Sequence, residues 1–253
     1  MKMAFSVALA LVLGLETGSF ASPPKPKYGP IASPRAVPLS QSNEYFRNPK
    51  HPAPAFWALI SFYIPQSTPA SCSSATLAMV LNAARAEKSK TADDAVVQEK
   101  ALWNKANVDH WKERLNGGYF GQYGADLELA AKVADAAFKS YGFKNVTEKV
   151  VHVSQVTPVV KKELIQDLRS LSGHTFIMAN FNQQSFTADA DVGHFAPIAA
   201  YDEDKGRVLV LDPDREYYEP YWISVDTFLE GMNTLDSSKK KHRGYIVVKS
   251  EEK

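Results

Sequence analysis

Cysteine is almost absent from this chain of 253 residues, because Cys72 is the only one. A single cysteine excludes a disulfide within the chain, and no group of cysteines and histidines has the spacing of a zinc site. An excess of charge is missing too, since 29 Lys and Arg stand against 28 Asp and Glu. A net charge of +1 gives no reason to expect nucleic acid or an anionic surface as the main partner.

Apolar runs long enough to cross a bilayer are also lacking. The run from Ala4 to Leu15 is too short to span one, and it follows the positive charge of Lys2. Ser19-Phe20-Ala21 then resembles a small-x-small cleavage site. The pattern predicts a signal peptide over residues 1–21, and therefore an exported protein, periplasmic or secreted, without membrane contact after cleavage. An N-terminal core helix is the weaker alternative, because prolines follow at once.

Proline marks the next boundary. Residues 22–54 hold nine of the fifteen prolines. Such a composition is typical of an extended leader that wraps a domain and is partly disordered. We therefore predict a proline-rich leader over 22–54 and one folded domain over 55–250, without internal repeats.

The single cysteine lies where a loop becomes a helix. Pro65 and Pro69 keep the preceding backbone out of a helix. The residues after Cys72 predict a helix that is apolar nearly all round and therefore buried: Ala75, Leu77, Ala78, Met79, Leu81 and Ala83. A helix N-terminus stabilises an anion, so Cys72 fits a thiolate nucleophile, and the amide of Gln66 fits an oxyanion donor. The alternative is an inert buried thiol.

The pattern changes after Gly173. Four short β-rich runs separated by turns are predicted strands: 175–180, 195–201, 208–211 and 245–248. A helical first half followed by a mostly antiparallel sheet is an α+β domain.

Two strands of this sheet carry a second chemical group. His194 opens the strand 195–201, and Asp212 ends the strand 208–211. A hairpin through the turn at 202–206 makes the two residues diagonal neighbours or closer. The carboxylate then orients the imidazole, which takes the proton of Cys72. The order Cys, His, Asp with the nucleophile on the first helix is papain-like.

These residues also carry a resemblance to a known family. The segments that resemble the catalytic domain of phytochelatin synthases are Gln66-x5-Cys72, Leu77–Ala83, Gly193–Ile198, Leu211-Asp212 with Tyr221-Trp222, and Met232–Asp236 with Arg243-Gly-Tyr. The chain is most similar to the short prokaryotic members, over roughly 56–249. The resemblance implies a papain-like fold and cleavage of the Cys–Gly bond of glutathione. A γ-glutamylcysteinyl thioester forms and passes to water or to a second thiol peptide.

The same resemblance implies roles for individual residues. Cys72 is the nucleophile, His194 the base, Asp212 the orienting carboxylate and Gln66 the oxyanion donor. The positions implied to bind the γ-glutamyl group are Asn180, Gly193, Asp236 and Arg243. Arg can hold a carboxylate with two hydrogen bonds, and an acidic partner suits the ammonium group.

Partners and cofactors follow from the resemblance as well. It implies glutathione or a related thiol peptide as substrate and no cofactor for the chemistry. It also implies activation by heavy metals such as cadmium, and it is compatible with a homodimer. One thiol and scattered histidines do not favour high-affinity metal binding, so no metal ligands are assigned.

Some positions depart from the family pattern. Ser71 and Ser73 replace an aromatic residue and a glycine, and Gln183 and Gln184 stand where a basic residue is common. We take these four as the acceptor side, so the sequence predicts release of glycine with poor chain extension. Two alternatives stay open. One is a peptidase of the bacteriocin-processing type, and the other is a catalytically silent periplasmic thiol module.

Overall fold

A computed structural model describes residue 31 and residues 33–86, 94–236 and 239–250. The predicted signal peptide and the first part of the predicted leader lie outside the described residues. Among the helices that are described, none combines the length and apolar character needed to cross a membrane.

Helices and strands alternate along the described chain. The α-helices are α1 (Pro54–Ile60), α2 (Cys72–Arg85), α3 (Glu99–Lys105), α4 (Trp111–Leu115), α5 (Leu127–Ser140), α6 (Pro158–Arg169), α7 (Gln183–Thr187) and α8 (Val225–Met232). The strands are β1 (Val37–Pro38), β2 (Val146–His152), β3 (Thr175–Asn182), β4 (Gly193–Asp202), β5 (Arg207–Val210), β6 (Tyr221–Ser224), β7 (Leu235–Asp236), β8 (Lys241–His242) and β9 (Gly244–Ser250).

Seven of these strands form one antiparallel sheet in the order β1-β6-β5-β4-β3-β9-β2. Side chains alternate between its two faces, so Phe176 and Met178 of β3 join one core while Ile177 and Ala179 join the other. The first core lies against α2, α3 and α5, and the second lies against α6, α7 and α8. The arrangement confirms the predicted α+β class and is compatible with a papain-like fold.

Helix α2 lies in the centre of the first core. All fourteen of its residues are buried, as its nearly uniform apolar sequence predicts. It packs against β4, the strand that begins next to His194. The start of α2 is therefore fixed relative to the sheet by burial along the whole helix.

The proline-rich segment 33–53 packs closely on the domain in the structure. Val37 and Pro38 form the edge strand β1 against β6. The indole of Trp222 donates to the carbonyl of Ser42, and the ring of Tyr45 lies edge-on to Trp222. An edge strand suits proline, because its outer side needs no N–H donor. Val37 and Pro38, which we assigned to the leader, thus form one edge of the sheet.

Candidate active site

The structure places Cys72 as the first residue of α2, with 7% of its surface exposed. The side chain of the preceding Ser71 points back into the loop. Its Oγ accepts hydrogen bonds from the N–H groups of Ser67 and Thr68, at 3.0 and 2.9 Å. The loop therefore folds over the helix start, and the thiol lies at the positive end of a buried fourteen-residue helix.

His194 lies on β4 and reaches both predicted partners. Its Nε2 donates to Oδ1 of Asp212 at 2.7 Å. Cys72 is also near enough to influence the charge of the imidazole. Because Nε2 is engaged by the carboxylate, the ring nitrogen left for the thiol is Nδ1. The predicted hairpin is confirmed, since β4 and β5 pair through a turn from Asp202 to Arg207.

Asp212 is completely buried, and hydrogen-bond donors surround its carboxylate. Oδ1 accepts from His194 and from the backbone N–H of Asp214 at 2.9 Å. Oδ2 accepts from the hydroxyl of Tyr221 at 2.8 Å and from Nε2 of Gln183 at 3.3 Å. A buried carboxylate is stable only with such partners, so these donors keep Asp212 ionised and oriented.

The two buried groups hold each other charged. Burial alone would raise the pKa of Asp212, but the charge of His194 and the surrounding donors hold that pKa below its ordinary value. Burial would likewise lower the pKa of His194, yet its interactions with Asp212 and Cys72 raise it well above the ordinary value. These interactions therefore favour the charged form of the imidazole.

Gln66 lies half-buried on the loop before Cys72. Its backbone N–H donates to the carbonyl of Pro213 at 2.8 Å, which ties the loop to the residue after Asp212. Its side-chain oxygen is buried and makes no hydrogen bond within the described part of the chain. The loop that carries the predicted oxyanion donor is thus fixed to the strand end that carries the carboxylate.

Arg243 and Gly193 lie together, although fifty residues separate them in sequence. A Cβ built on Gly193 would stand 3.0 Å from Nη2 and 3.2 Å from Nε of Arg243, so this edge of the guanidinium faces the glycine. The opposite nitrogen, Nη1, donates to Oγ1 of Thr234 at 3.0 Å and to the carbonyl of Leu235 at 2.6 Å. Among the described residues, Nε of Arg243 has no hydrogen-bond partner. The Nε–Nη2 edge therefore lies against Gly193, and an edge of this kind can bind a carboxylate through two nitrogens.

Asp236 lies on the short hairpin that β7 and β8 form in front of Arg243. Burial lowers the pKa of Arg243, and the nearby charges of Asp236 and Asp191 partly offset that effect. A cation and carboxylates therefore lie within electrostatic reach of one another beside Gly193, the neighbour of His194.

Asn180 lies on β3, the strand that pairs with β4. It is 2% exposed, and its Nδ2 donates to the backbone carbonyl of His194 at 3.2 Å. The contact fixes β4 at the position of the imidazole. The structure thus connects Asn180 with the position of His194 more directly than with an open pocket.

Sequence reasoning assigned no role to Tyr221 and treated Gln183 as a departure on the acceptor side. In the structure both side chains are buried and donate to Asp212. Tyr221 belongs to a segment that carries the resemblance, which was a signal for its importance but not for its contact. No local pattern predicted the contact of Gln183 with Asp212, because the two residues are 29 positions apart and meet only through the placement of α7.

Comparisons with known proteins match one family model and several curated relatives. A family model described as phytochelatin synthase matches residues 36–245. Glutathione gamma-glutamylcysteinyltransferase 1 of Lotus japonicus is 28% identical over 201 residues, which cover 77% of this chain and 36% of that protein. The glutathione gamma-glutamylcysteinyltransferase of Schizosaccharomyces pombe is 24% identical over 208 residues, which cover 76% of this chain and 43% of that protein.

The chain spans well under half the length of these curated relatives. The family model, in contrast, covers more than four fifths of the chain and includes the segments that carry Cys72, His194 and Asp212. The chain belongs to the phytochelatin synthase family.

Proposed function

We propose that this chain is a glutathione γ-glutamylcysteinyltransferase-type enzyme that works through an acyl-enzyme. The thiolate of Cys72 attacks the carbonyl carbon of the Cys–Gly bond, and the amide of Gln66 stabilises the oxyanion. The C–N bond then breaks, and the imidazolium of His194 gives its proton to the amine of the leaving glycine. A γ-glutamylcysteinyl thioester remains on Cys72. Water or the thiol-peptide amine then attacks the thioester with His194 as base.

The observation that carries this proposal is the Nε–Nη2 edge of Arg243 beside Gly193. A γ-glutamyl group ends in an α-carboxylate and an α-ammonium, so it needs a cationic and an anionic partner. Arg243 supplies the first and Asp236 the second, next to the residue that precedes His194. A peptidase that cuts after small residues has no use for such a pair, and a silent thiol module has no use for the buried His194–Asp212 pair.

The proposal is tested by trapping the acyl-enzyme with glutathione and measuring the intact protein mass. We expect an increase of one γ-glutamylcysteinyl group on Cys72. The matched control peptide is α-Glu-Cys-Gly, which keeps the Cys–Gly bond but moves the α-carboxylate and ammonium, and we expect little adduct with it. Equal acylation by both peptides would contradict the assignment of Arg243 and Asp236. Cleavage of an unrelated peptide after small residues, without a glutathione adduct, would support the peptidase alternative.

Replacing Arg243 by lysine is expected to weaken glutathione binding more than it slows the chemistry. Lysine keeps the charge but cannot offer two parallel nitrogens to a carboxylate. Loss of a charge-assisted hydrogen bond costs about 1.5–3 kcal/mol, so KM should rise about tenfold to a hundredfold with kcat changed far less. Steady-state kinetics of glycine release measure both constants. The control is Arg169→Lys, an exposed arginine paired with Glu203, which should leave KM unchanged.

Asp212→Asn is expected to shift the pH profile of glycine release as well as its rate. The pKa of His194 is held up by the charge of Asp212, so the neutral amide lets that pKa fall. The imidazolium is then lost at lower pH, and the alkaline limb of the profile moves to lower pH. The rate near the optimum should fall as well, but by less than on loss of Cys72 or His194. An unchanged alkaline limb would show that Asp212 does not control the imidazole.

The acceptor side differs from what the sequence suggested. Ser71 holds the loop, Ser73 accepts from the indole of Trp111 at 3.4 Å, and Gln183 donates to Asp212. All three side chains are buried, so the argument for poor chain extension rests on the exposed Gln184 alone. The ratio of γ-Glu-Cys to (γ-Glu-Cys)₂-Gly at early times, with and without cadmium, measures which acceptor takes the acyl group. The described residues contain no cluster of three or more His, Cys, Asp or Glu arranged to bind a metal.

Export of the protein is also proposed, from the predicted signal over residues 1–21. We expect native protein to begin near Ser22. N-terminal sequencing of protein from the periplasm or medium checks this, and an intact Met1 on protein confined to the cytoplasm would contradict it.

A further inference from the structure

Glu99 is a buried carboxylic acid that the proposed reaction does not use. It is the first residue of α3 and is 5% exposed. Its Oε1 accepts the backbone N–H of Ser67 at 2.9 Å, and its Oε2 accepts the hydroxyl of Ser74. Ser67 lies on the loop before Cys72, and Ser74 lies in the first turn of α2. One carboxyl group therefore joins the loop to the helix on either side of the nucleophile.

The burial of this group is costly for the fold. Burial raises the pKa of Glu99, and the hydrogen bonds with Ser74, Ser71 and Ser67 only partly offset it. The offsetting groups are hydroxyls and an amide, and no cation is among them. Buried acids without a cationic partner are rarely the most stable choice at a position. A contribution to the stability of the fold therefore explains Glu99 less well than its contacts with Ser67 and Ser74 do.

Glu99 holds the backbone on the C-terminal side of Gln66. The N–H of Gln66 itself donates to the carbonyl of Pro213 at 2.8 Å. The next N–H, that of Ser67, is shared between Oε1 of Glu99 at 2.9 Å and Oγ of Ser71 at 3.0 Å. The peptide unit after Gln66 is thus tied to α3, and the unit before it is tied to the segment that carries Asp212. The two ties fix the direction in which the Gln66 side chain leaves the backbone.

We infer that Glu99 is a positioning residue that sets the oxyanion donor Gln66 relative to the sulfur of Cys72. The inference rests on the proposed function. An oxyanion donor contributes only when its N–H lies within hydrogen-bond distance of the developing charge, and a shift of about 1 Å removes most of the effect. Without Glu99 the loop keeps its ties to Pro213 and to Oγ of Ser71 but loses its tie to α3, so Gln66 is held less firmly in one orientation.

A double-mutant cycle tests this role. Glu99→Ala is expected to lower kcat for glycine release about 10-fold to 100-fold with KM nearly unchanged, since loss of an oxyanion donor costs about 10² to 10³. In a Gln66→Ala background the same substitution should have almost no further effect, because the donor is already absent. Alkylation of Cys72 by iodoacetamide forms no oxyanion and should be unaffected by Glu99→Ala. Multiplicative losses in the cycle, or an equal loss in alkylation, would overturn the inference.

Three further variants distinguish a displaced carboxyl group at position 99 from a general loss of folding. Glu99→Gln keeps an oxygen for Ser67 and should restore most of the rate. Glu99→Asp keeps the charge but draws the carboxyl back by one methylene, so its kcat should be lowered as in Glu99→Ala. It tests the position of the carboxyl group even if Glu99→Ala folds poorly. Glu148→Ala is the matched control, because Glu148 is a half-buried acid on β2 whose pKa burial raises to about 7. It should leave kcat unchanged.

The positioning role of Glu99 can be tested even if glutathione is not a substrate. Absence of glycine release by the wild-type protein would contradict the proposed function. Hydrogen–deuterium exchange would then report on Glu99. In Glu99→Ala the amide of Ser67 has only Oγ of Ser71 as acceptor and should exchange faster, while the amides in the middle of α2 stay protected. Equal exchange of Ser67 in both proteins would overturn the positioning role.

Discussion

Replacing Cys72 by serine is expected to lower glycine release from glutathione by about 10³-fold or more, and His194→Ala should do the same. The serine hydroxyl is far less acidic than a thiol, so the imidazolium of His194 does not keep it ionised. Without His194 the thiolate loses its cation and the leaving amine loses its proton donor. The two residues act as one unit, so the double variant should be hardly slower than either single variant.

Initial rates of glycine release with the purified variants check this expectation. His110→Ala is a suitable control, because His110 is exposed and makes its contacts outside the triad, with Tyr119. Thermal unfolding of each variant separates lost chemistry from lost fold. Near-normal turnover by Cys72→Ser on any substrate would show that the assigned mechanism is wrong.

Gly244→Ala is expected to lower the free energy of unfolding by about 3 kcal/mol or more. Gly244 begins β9 and is paired with His152 of β2. A Cβ at this position would lie 1.8 Å from the carbonyl oxygen of Val151 and 3.0 Å from Cα of His152. Both are backbone atoms of the neighbouring strand, so no side-chain rotation relieves the clash and the β2–β9 pairing must shift.

Chemical denaturation of the wild-type and variant proteins measures the effect. Gly142→Ala is the matched control. Within the described part of the chain, no atom beyond its two chain neighbours lies within 4 Å of its Cβ position, and its positive φ of 82° is unfavourable. That strain costs about 1–2 kcal/mol. Any folded fraction of Gly244→Ala should also show a raised KM for glutathione, because the backbone shift moves the adjacent Arg243. Equal stability of the two alanine variants would contradict the close approach of β9 and β2.

The sequence by itself determined those parts of the site that depend on short stretches of chain. Prolines before Cys72 and an apolar helix after it place the thiol at a helix start. His194 and Asp212 lie at the two ends of one hairpin, so strand alternation and the turn at 202–206 sufficed to predict their contact. Local patterns of this kind survive in the sequence because neighbouring residues in the chain create them.

Only the tertiary structure decided which distant residues complete the site. Arg243 lies over Gly193 because β9 and β4 flank the same strand, β3. Glu99 reaches Ser67 across 32 residues because α3 packs on α2, and Val37 extends the sheet from the far end of the chain. The side chains of Ser71, Ser73 and Gln183, which the sequence assigned to the acceptor side, turn inward to hold the loop, a tryptophan and Asp212. Such contacts depend on which buried surfaces meet, and that choice is made by the packing of the whole core rather than by the periodicity of any one segment.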